Sequence, residues 1–277
     1  MSDRYIVVGN PIGHSLSPRI HTLFAAQTGQ DMVYTAQLAP LDGFAATVTE
    51  FAAAGGRGLN VTLPFKQQAF RLATRLSERA RLAGSVNTLS CIDGGLAADN
   101  TDGAGLVGDL RRNLACSIAG RRVLLLGAGG AARGVVRPLC LEQPAQLTIA
   151  NRNAETARQL AADCSTAALQ VTGGSFAELA GLSFDLVINA TSASLHDTGL
   201  DLPAGVFAPG SLAYDMVYGR NTAFMRQAQQ AGAAHVADGL GMLIEQAAEA
   251  FRIWRGICPD TAPVLKELRL ALAGKKP

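Results

Sequence analysis

A strongly apolar strand that runs directly into a glycine-rich turn constrains the fold of this chain more than any other feature. Val123-Leu-Leu-Leu126 is an unbroken apolar run, which predicts a parallel strand buried on both faces. The turn Gly127-Ala-Gly-Gly-Ala131 follows, and then a helix predicted over residues 131–142. Glycines let such a turn close and let the backbone approach a pyrophosphate, whose charge then faces the helix N-terminus. The complete strand–turn–helix–strand pattern favours a dinucleotide site, and a tight turn without a ligand is the alternative.

The residues after the next predicted strand indicate which dinucleotide binds. An NAD site has an Asp or Glu there to hold the ribose 2′-hydroxyl, whereas this chain has Ala150-Asn-Arg152-Asn153. An acidic residue would repel a 2′-phosphate, while Arg152 can form charge-assisted hydrogen bonds to it. We therefore predict NADP, although Glu155 weakens the argument and Arg152 can also be read as a solvated residue of the first helical turn.

Strand-like and helix-like runs alternate along the whole chain, which predicts the α/β class with mostly parallel sheets covered by helices. We expect strands at 5–8, 33–38 and 58–61, a hairpin of 88–92 and 96–98 at the sheet edge, and further strands at 123–126, 147–150, 169–171, 186–189, 212–215 and 235–237. Helices over 242–255 and 263–272 close the chain. A length of 277 residues is natural for two domains.

Composition argues against several classes of protein. The formal net charge of +2 is small and the basic residues are dispersed, so neither nucleic acid nor a membrane surface is an expected partner. No apolar run approaches the ~20 residues of a membrane span, and no secretory segment precedes the first strand. The five cysteines are odd in number and form no C-x-x-C, which is typical of reduced thiols in a cytoplasmic protein. The histidines lack a metal-ligand pattern, so we predict no metal.

Three polar clusters stand where apolar runs meet loops, and ligands of open α/β sheets bind at such an edge. They are Asn60-Val-Thr-Leu-Pro-Phe-Lys66, Gly84-Ser-Val-Asn-Thr88 and Asp99-Asn-Thr-Asp-Gly103. Together they supply a lysine, an aspartate, amides and hydroxyls, a set that suits a small, oxygen-rich molecule. A polyol site in a chain with a dinucleotide site suggests hydride transfer.

Two serines lie just before the first predicted helix, in Gly9-Asn-Pro-Ile-Gly-His-Ser-Leu-Ser-Pro18. Ser15 and Ser17 can point the same way in an extended turn, and Pro18 suits the first helical position. Two hydroxyls near a helix N-terminus suit a carboxylate. Helix capping by one serine is the alternative.

With these motifs the chain resembles the shikimate dehydrogenase family of the aromatic-amino-acid pathway over nearly its whole length. The resemblance rests on the motifs already quoted, in the same order, with Ala83 added before the second cluster. Further along it includes Asn151-Arg152, Asn189-Ala-Thr-Ser192, Tyr214-Asp-Met-Val-Tyr218 and Asp238-Gly-Leu-Gly-Met242. It implies NADPH-dependent reduction of 3-dehydroshikimate to shikimate. We expect a substrate-binding and catalytic domain of residues 1–103 and 240–277, and a Rossmann-like NADP-binding domain of residues 104–239.

The resemblance also implies roles for individual residues. The serines at 15 and 17 hold the substrate carboxylate, ring hydroxyls contact Thr62, Lys66, Asn87, Asp102 and Gln246, and Tyr218 faces the substrate. The cofactor lies along Gly127, Ala128, Gly129, Gly130, Ala131, Asn151, Arg152, Asn153, Thr156, Thr191, Met216 and Gly239. One departure stands out: enzymes of the family often carry a second arginine where this chain has Thr156, so its margin for NADP over NAD is expected to be smaller.

Reduction of a ketone by hydride creates an alkoxide that needs a proton, and without a metal a side chain must supply it. Lys66 is the candidate donor, with Asp102 orienting it. Asn87 and Gln246 can donate and accept together, as a vicinal diol requires. Gln246 implies that the late helix returns to the first domain. The alternatives are a solvated lysine, an exposed glutamine and, for Tyr218, core packing.

The sequence is also compatible with two other functions. A quinate/shikimate dehydrogenase of broad specificity would tolerate one more hydroxyl on the substrate. A catalytically silent NADP or metabolite sensor would keep the glycine turn and lose the acid–base pair, yet Lys66 and Asp102 are both present. For the assembly we expect a monomer or a homodimer that binds a small-molecule substrate.

Overall fold

Two six-stranded sheets organise the protein, as a computed structural model describing residues 2–274 shows. Each sheet belongs to its own compact unit. The first unit holds the described residues up to Gly105 and from Leu243 onward, and the second is Leu106–Met242.

The first part of the chain alternates short strands and helices. The strands are β1 (Asp3–Gly9), β2 (Met32–Leu38), β3 (Gly56–Val61), β4 (Arg75–Leu76), β5 (Thr88–Ile92) and β6 (Gly95–Asp99). The helices are α1 (Ser17–Thr28), α2 (Phe44–Ala53), α3 (Lys66–Leu72), α4 (Glu78–Ala83) and α5 (Asp102–Gly108), which a π-helical turn at Asp109–Asn113 continues.

The second part has longer α/β repeats. Its strands are β7 (Arg122–Leu126), β8 (Gln146–Ala150), β9 (Val171–Gly174), β10 (Phe184–Asn189), β11 (Phe207–Asp215) and β12 (His235–Asp238). Its helices are α6 (Gly130–Leu141), α7 (Ala154–Cys164), α8 (Ala223–Gln230), α9 (Leu240–Arg255) and α10 (Thr261–Ala273). None of the helices in residues 2–274 combines the length and apolar character needed to cross a membrane.

The sheet of the first unit has the strand order β2-β1-β3-β5-β6-β4. The pairs β1–β2, β1–β3 and β4–β6 are parallel, while β3–β5 and β5–β6 are antiparallel. The mostly parallel sheet and the hairpin are therefore as predicted. The hairpin does not form the edge, however, because β4 pairs with β6 through Arg75 and Leu76 outside it. Two residues are too few for a periodic sequence signal, so this strand was missed.

The sheet of the second unit is parallel throughout, in the order β12-β11-β10-β7-β8-β9. Strand order reverses between β7 and β10, and ligands of doubly wound sheets bind outside the carboxyl ends of the strands at such a point. Val123 and Leu125 pack into one core cluster and Leu124 and Leu126 into another, so β7 is buried on both faces as its apolar run predicts.

One strand lies later than expected. β9 spans Val171–Gly174, whereas the sequence predicted residues 169–171. A Cβ on Gly173 would lie 2.5 Å from the carbonyl oxygen of Ala157, so glycine is needed there for α7 to pack closely on the strand. Consecutive glycines usually indicate a turn, and in this case they indicate close packing of a helix on a strand.

Candidate active site

Three strand ends of the first unit meet at one edge of its sheet. Asn60 on β3 lies opposite Thr88 on β5, and Thr88 lies opposite Asp99 on β6. Because both pairs are antiparallel, the end of β3, the start of β5 and the end of β6 are neighbours. The Gly84–Thr88 cluster leads into the start of its strand, while the other two clusters lie at the ends of theirs. The register of the sheet brings the three polar clusters together.

Lys66 opens α3, and its side chain reaches Asp102. The preceding residue, Phe65, is fully buried and stacks on Phe44 with ring centroids 4.9 Å apart, which anchors the start of the helix. Lys66 Nζ lies 2.5 Å from Asp102 Oδ2, with the two side chains 21% and 8% exposed. The ammonium of Lys66 is therefore paired with Asp102, and its side chain remains partly exposed to solvent.

The loop that carries Asp102 is held rigidly by buried polar contacts. Asn100 Oδ1 accepts the backbone N–H of Asp102, and Asn100 Nδ2 donates to the carbonyl of Ser85. Just before it, Asp99 is bound by both Arg79 and Ser77. Burial alone would raise the pKa of Asp99, but these hydrogen bonds and the Arg79 charge outweigh it and hold that pKa below its usual value. The ion pair of Asp99 with Arg79 thus holds the start of the loop.

Asn87 and Gln246 complete the cluster around Asp102. Asn87 Nδ2 donates to Asp102 Oδ1 over 2.8 Å, and its Oδ1 accepts the backbone N–H of Thr101 over 2.9 Å. Gln246, on the part of α9 that belongs to the first unit, accepts from Asn87 Nδ2 and from Thr101 Oγ1. The late helix therefore returns to the first unit as expected, and Gln246 is partly buried rather than an exposed helical residue.

The serine-bearing turn lies beside the loop that leads to Lys66. A Cβ on Gly9 would be 2.5 Å from Thr62 Cγ2, and the N–H of Asn10 donates to the carbonyl of Leu63. Ser15 Oγ accepts the N–H of Ser17, but the N-cap residue of α1 is Leu16, which makes no side-chain cap hydrogen bond. The helix begins at Ser17, which puts Pro18 one position later than predicted.

Thr101 is a site residue that sequence reasoning missed. Its hydroxyl touches both Asn87 and Gln246, yet it stood in the Asp99–Gly103 cluster without a role of its own. The sequence signal that could have identified Thr101 as a site residue was its position between Asn100 and Asp102.

The second unit presents an open glycine turn at the switch point. Gly127 has φ +103°, and a Cβ there would lie 3.2 Å from the backbone of Ala190, so only glycine suits this position. A Cβ on Gly129 or Gly130 would meet nothing within 4 Å. The backbone between Ala128 and Ala131 is thus accessible at the N-terminus of the 12-residue helix α6. This cradle fits the pyrophosphate of a dinucleotide.

The residues after β8 are arranged around a helix cap. Asn153 Oδ1 accepts the N–H of Thr156 at the start of α7, and Asn151 Nδ2 donates to the carbonyl of Asn153. Arg152 is exposed and has no ion pair within the described residues. Glu155, which weakened the prediction of NADP, lies 3.9 Å from Arg158. A free guanidinium beside the glycine turn fits a 2′-phosphate.

A buried carboxylate organises the remaining predicted cofactor residues. Asp215 accepts from Ser194 Oγ over 2.5 Å, from Thr222 Oγ1 over 2.6 Å and from the N–H of Val217 over 3.0 Å. This ties the loop after β10, with Thr191, to the loop after β11, with Met216 and the partly buried Tyr218. A Cβ on Gly239 would lie 2.2 Å from the carbonyl oxygen of Met216, so these two predicted cofactor residues are in contact.

Two features bear on other chemistries. Within residues 2–274 no group of three or more His, Cys, Asp or Glu side chains is placed to hold a metal. All five cysteines are free thiols, and burial raises the pKa of Cys140 to about 11, with the Cys164 thiol nearby adding to the effect.

Family models match three segments of the chain, and known proteins match nearly its whole length. The model of the shikimate dehydrogenase substrate binding domain covers residues 7–89, that of shikimate / quinate 5-dehydrogenase residues 109–197, and that of the shikimate 5'-dehydrogenase C-terminal domain residues 239–269. A shikimate dehydrogenase (NADP(+)) from Dechloromonas aromatica is 62% identical over 273 residues, which are 98% of this chain and 99% of the relative.

Solved structures agree with these matches. An Ael1 enzyme from Pseudomonas putida has a TM-score of 0.91 at 48% identity, with 96% of this chain and 98% of that chain covered. A shikimate 5-dehydrogenase from Thermus thermophilus, in complex with NADP(H) and shikimate, has a TM-score of 0.84 at 32% identity and covers 97% of this chain and 99% of its own. The α/β fold and the resemblance seen in the motifs are thereby confirmed, and the chain belongs to the shikimate dehydrogenase family.

Proposed function

We propose that the protein catalyses the reversible reduction of 3-dehydroshikimate to shikimate by NADPH, a step of chorismate and aromatic amino acid biosynthesis. The observation that carries the proposal is the pair of Lys66 Nζ and Asp102 Oδ2 at 2.5 Å, with Asn87 and Gln246 hydrogen-bonded around it. The open glycine turn and the free Arg152 of the second unit support the choice of cofactor. The catalytically silent sensor is not favoured, because the acid–base pair that it would lack is in place.

The chemistry that NADPH supplies when bound is a hydride for the ketone carbon. Lys66 donates a hydrogen bond to the ketone oxygen, stabilises the negative charge that develops on it and transfers a proton to it. Asp102 accepts from the Lys66 ammonium and holds it in place, so that the proton is aimed at one atom. In the reverse direction the lysine takes the proton back from the hydroxyl.

Substrate recognition follows from the hydrogen-bonding capacity of the remaining groups. Asn87 and Gln246 each carry a donor and an acceptor, which suits the hydroxyls of the ring. Ser15 and Ser17 offer hydroxyls to the carboxylate near the start of α1, with Thr62 on the adjoining loop. We assign Tyr218 to the substrate as well. The first unit is accordingly the substrate-binding and catalytic domain.

The second unit is the NADP-binding domain in this proposal. The backbone of Gly127–Ala131 takes the pyrophosphate, and Arg152 takes the 2′-phosphate, with Asn151, Asn153 and Thr156 beside it. Thr191, Met216 and Gly239 line the rest of the cofactor. Since Thr156 cannot pair with a phosphate as an arginine can, one guanidinium carries the preference for NADP. We place the protein in the cytoplasm, as a monomer or a homodimer.

Initial rates of nicotinamide reduction test the proposal, with shikimate and quinate each combined with NADP⁺ and NAD⁺. We expect the highest kcat/KM for shikimate with NADP⁺. Comparable values with quinate or NAD⁺ would identify a quinate/shikimate dehydrogenase of broad specificity, and Thr156 would account for the use of NAD⁺. Absence of turnover with all four combinations would refute the enzymatic assignment.

A further inference from the structure

Asn60 opens one of the three polar clusters, yet its side chain has no free donor for a substrate. It is only 6% exposed at the end of β3. Its Oδ1 accepts the hydroxyl of Tyr34 over 2.7 Å, and its Nδ2 donates to Thr88 Oγ1 over 3.1 Å and to the carbonyl of Asn87 over 3.2 Å. Both amide protons are used inside the protein, so the side chain acts on its neighbours.

The direction of these hydrogen bonds is fixed from one end to the other. An amide NH₂ can only donate, so the Thr88 hydroxyl accepts from Asn60 and its own proton is left for another acceptor. That acceptor is Asn87 Oδ1, 2.9 Å away. With its oxygen so engaged, Asn87 turns its Nδ2 toward Asp102 Oδ1 at 2.8 Å. The donors therefore run in order from Tyr34 through Asn60, Thr88 and Asn87 to Asp102.

Tyr34, the first donor in this series of hydrogen bonds, lies in an aromatic core. Tyr34 is buried and stacks on His21, with ring centroids 4.1 Å apart and planes 9° from parallel. Burial raises the pKa of Tyr34 well above its usual value, so its hydroxyl remains a donor. The backbone carbonyl of Asn87 can only accept, so it holds the Asn60 Nδ2 toward itself and leaves the Asn60 oxygen to accept the proton of Tyr34.

We propose that Tyr34, Asn60 and Thr88 are positioning residues that fix the amide of Asn87 so that it donates to Asp102, which in turn holds Lys66. If Asn87 were reversed, its oxygen would face the carboxylate of Asp102 at hydrogen-bonding distance, and the two acceptors would repel each other. The Thr101 N–H gives the Asn87 oxygen a second donor, so each single hydrogen bond contributes part of the orientation. This inference rests on the proposed function.

Thr88→Val tests it, because valine has nearly the shape of threonine and lacks only the hydroxyl. The variant loses both hydrogen bonds of the hydroxyl, and loss of the one to Asn87 Oδ1 is expected to lower kcat about tenfold, with a smaller change in KM. Thr88→Ser restores the hydroxyl and should return kcat to within about twofold of the wild type. The matched control is Thr148→Val, which removes another buried strand threonine whose hydroxyl contacts Thr172 in the second unit. That variant should leave kcat unchanged.

A double-mutant cycle separates positioning from a general loss of structure. If Thr88 acts through Lys66, then adding Thr88→Val to Lys66→Ala should lower kcat by less than about twofold further. A full tenfold additional loss, or an unchanged kcat in the single variant, would overturn the inference. Tyr34→Phe gives an independent variant should Thr88→Val fold poorly, and it should lower kcat in the same non-additive way. A wild-type protein without turnover would instead show that the proposed function itself fails.

Discussion

Replacement of Lys66 by alanine is the most direct test of the chemistry assigned to this protein. The variant removes the ammonium that hydrogen-bonds the ketone oxygen and donates its proton, and leaves the other groups of the cluster in place. Asp102 keeps its hydrogen bond from Asn87 Nδ2 at 2.8 Å, so one oxygen of the carboxylate remains satisfied. We expect the variant to fold, because water can reach the other oxygen through the space that Lys66 vacates.

The size of the expected fall in kcat follows from the role of Lys66 as a general acid–base group. A general acid–base group contributes about 10²–10⁴-fold to a rate, or about 2.7–5.4 kcal/mol of activation free energy. Lys66 keeps 21% of its side chain exposed, so in the variant a water molecule can enter and replace part of the proton donation. We therefore expect kcat to fall by about 10³-fold, the middle of that range, while KM changes much less.

Steady-state rates of shikimate oxidation with NADP⁺ give kcat and KM for both proteins. Lys266→Ala is the matched control, since Lys266 is an exposed lysine on α10 of the same unit and should leave kcat unchanged. Circular dichroism and Tm establish that Lys66→Ala is folded. A folded variant with a near-normal kcat would refute the role of Lys66 as proton donor.

Three other perturbations probe the cofactor site and the aromatic core. Arg152→Ala should raise KM for NADP about 10–100-fold and KM for NAD much less, since a charge-assisted hydrogen bond to the 2′-phosphate is worth about 1.5–3 kcal/mol; equal changes would contradict the assignment. Gly239→Ala forces a Cβ to within 2.2 Å of the carbonyl oxygen of Met216. It should weaken NADPH binding in a fluorescence titration and lower Tm by roughly 3–10 °C, whereas Gly199→Ala, with only a 3.9 Å contact to Gln227, should do neither. Burial lowers the pKa of His21 from 6.5 to about 3, so the unfolded chain binds a proton that the folded protein excludes between these values. The contribution of His21 to the free energy of unfolding should thus be complete above pH 6.5 and fall as the pH drops toward 3. The decrease should be about 2 kcal/mol between about pH 6 and pH 4.5. In denaturant titrations His21→Phe should lack this part of the decline, and an identical pH dependence in both proteins would contradict it.

The long elements of the fold could be predicted because each carries its own signal. The apolar run of β7 predicted burial on both faces, and the glycine turn after it predicted the helix that follows. The edge strand β4 carried no such signal. Its two residues pair with β6 only because α3 and α4 place them there, so a partner distant in sequence decided their conformation.

The candidate site divides in the same way. Lys66, Asn87 and Asp102 were identified from clusters of polar residues beside apolar runs. Thr101 and Tyr34 were not assigned roles, because their contacts come from residues distant in sequence. Asn60 was not assigned one either, because a buried asparagine and a substrate-binding asparagine look alike in a sequence. What distinguishes them is what each amide contacts: Asn60 bonds to Tyr34, Thr88 and the backbone of Asn87, whereas Asn87 donates directly to Asp102.

By itself, the sequence determined the α/β class, the glycine turn, the arginine after the next strand, and the polar groups offered by the three clusters. These depend on residue type and on spacings within a few positions, which local geometry translates directly into structure. Only the tertiary structure decided which of those groups meet. Lys66 and Asp102 are 36 residues apart, and Asn87 and Gln246 are 159 apart. Contacts over such distances are set by the register of β3, β5 and β6 and by the return of α9, which depend on the packing of the whole unit.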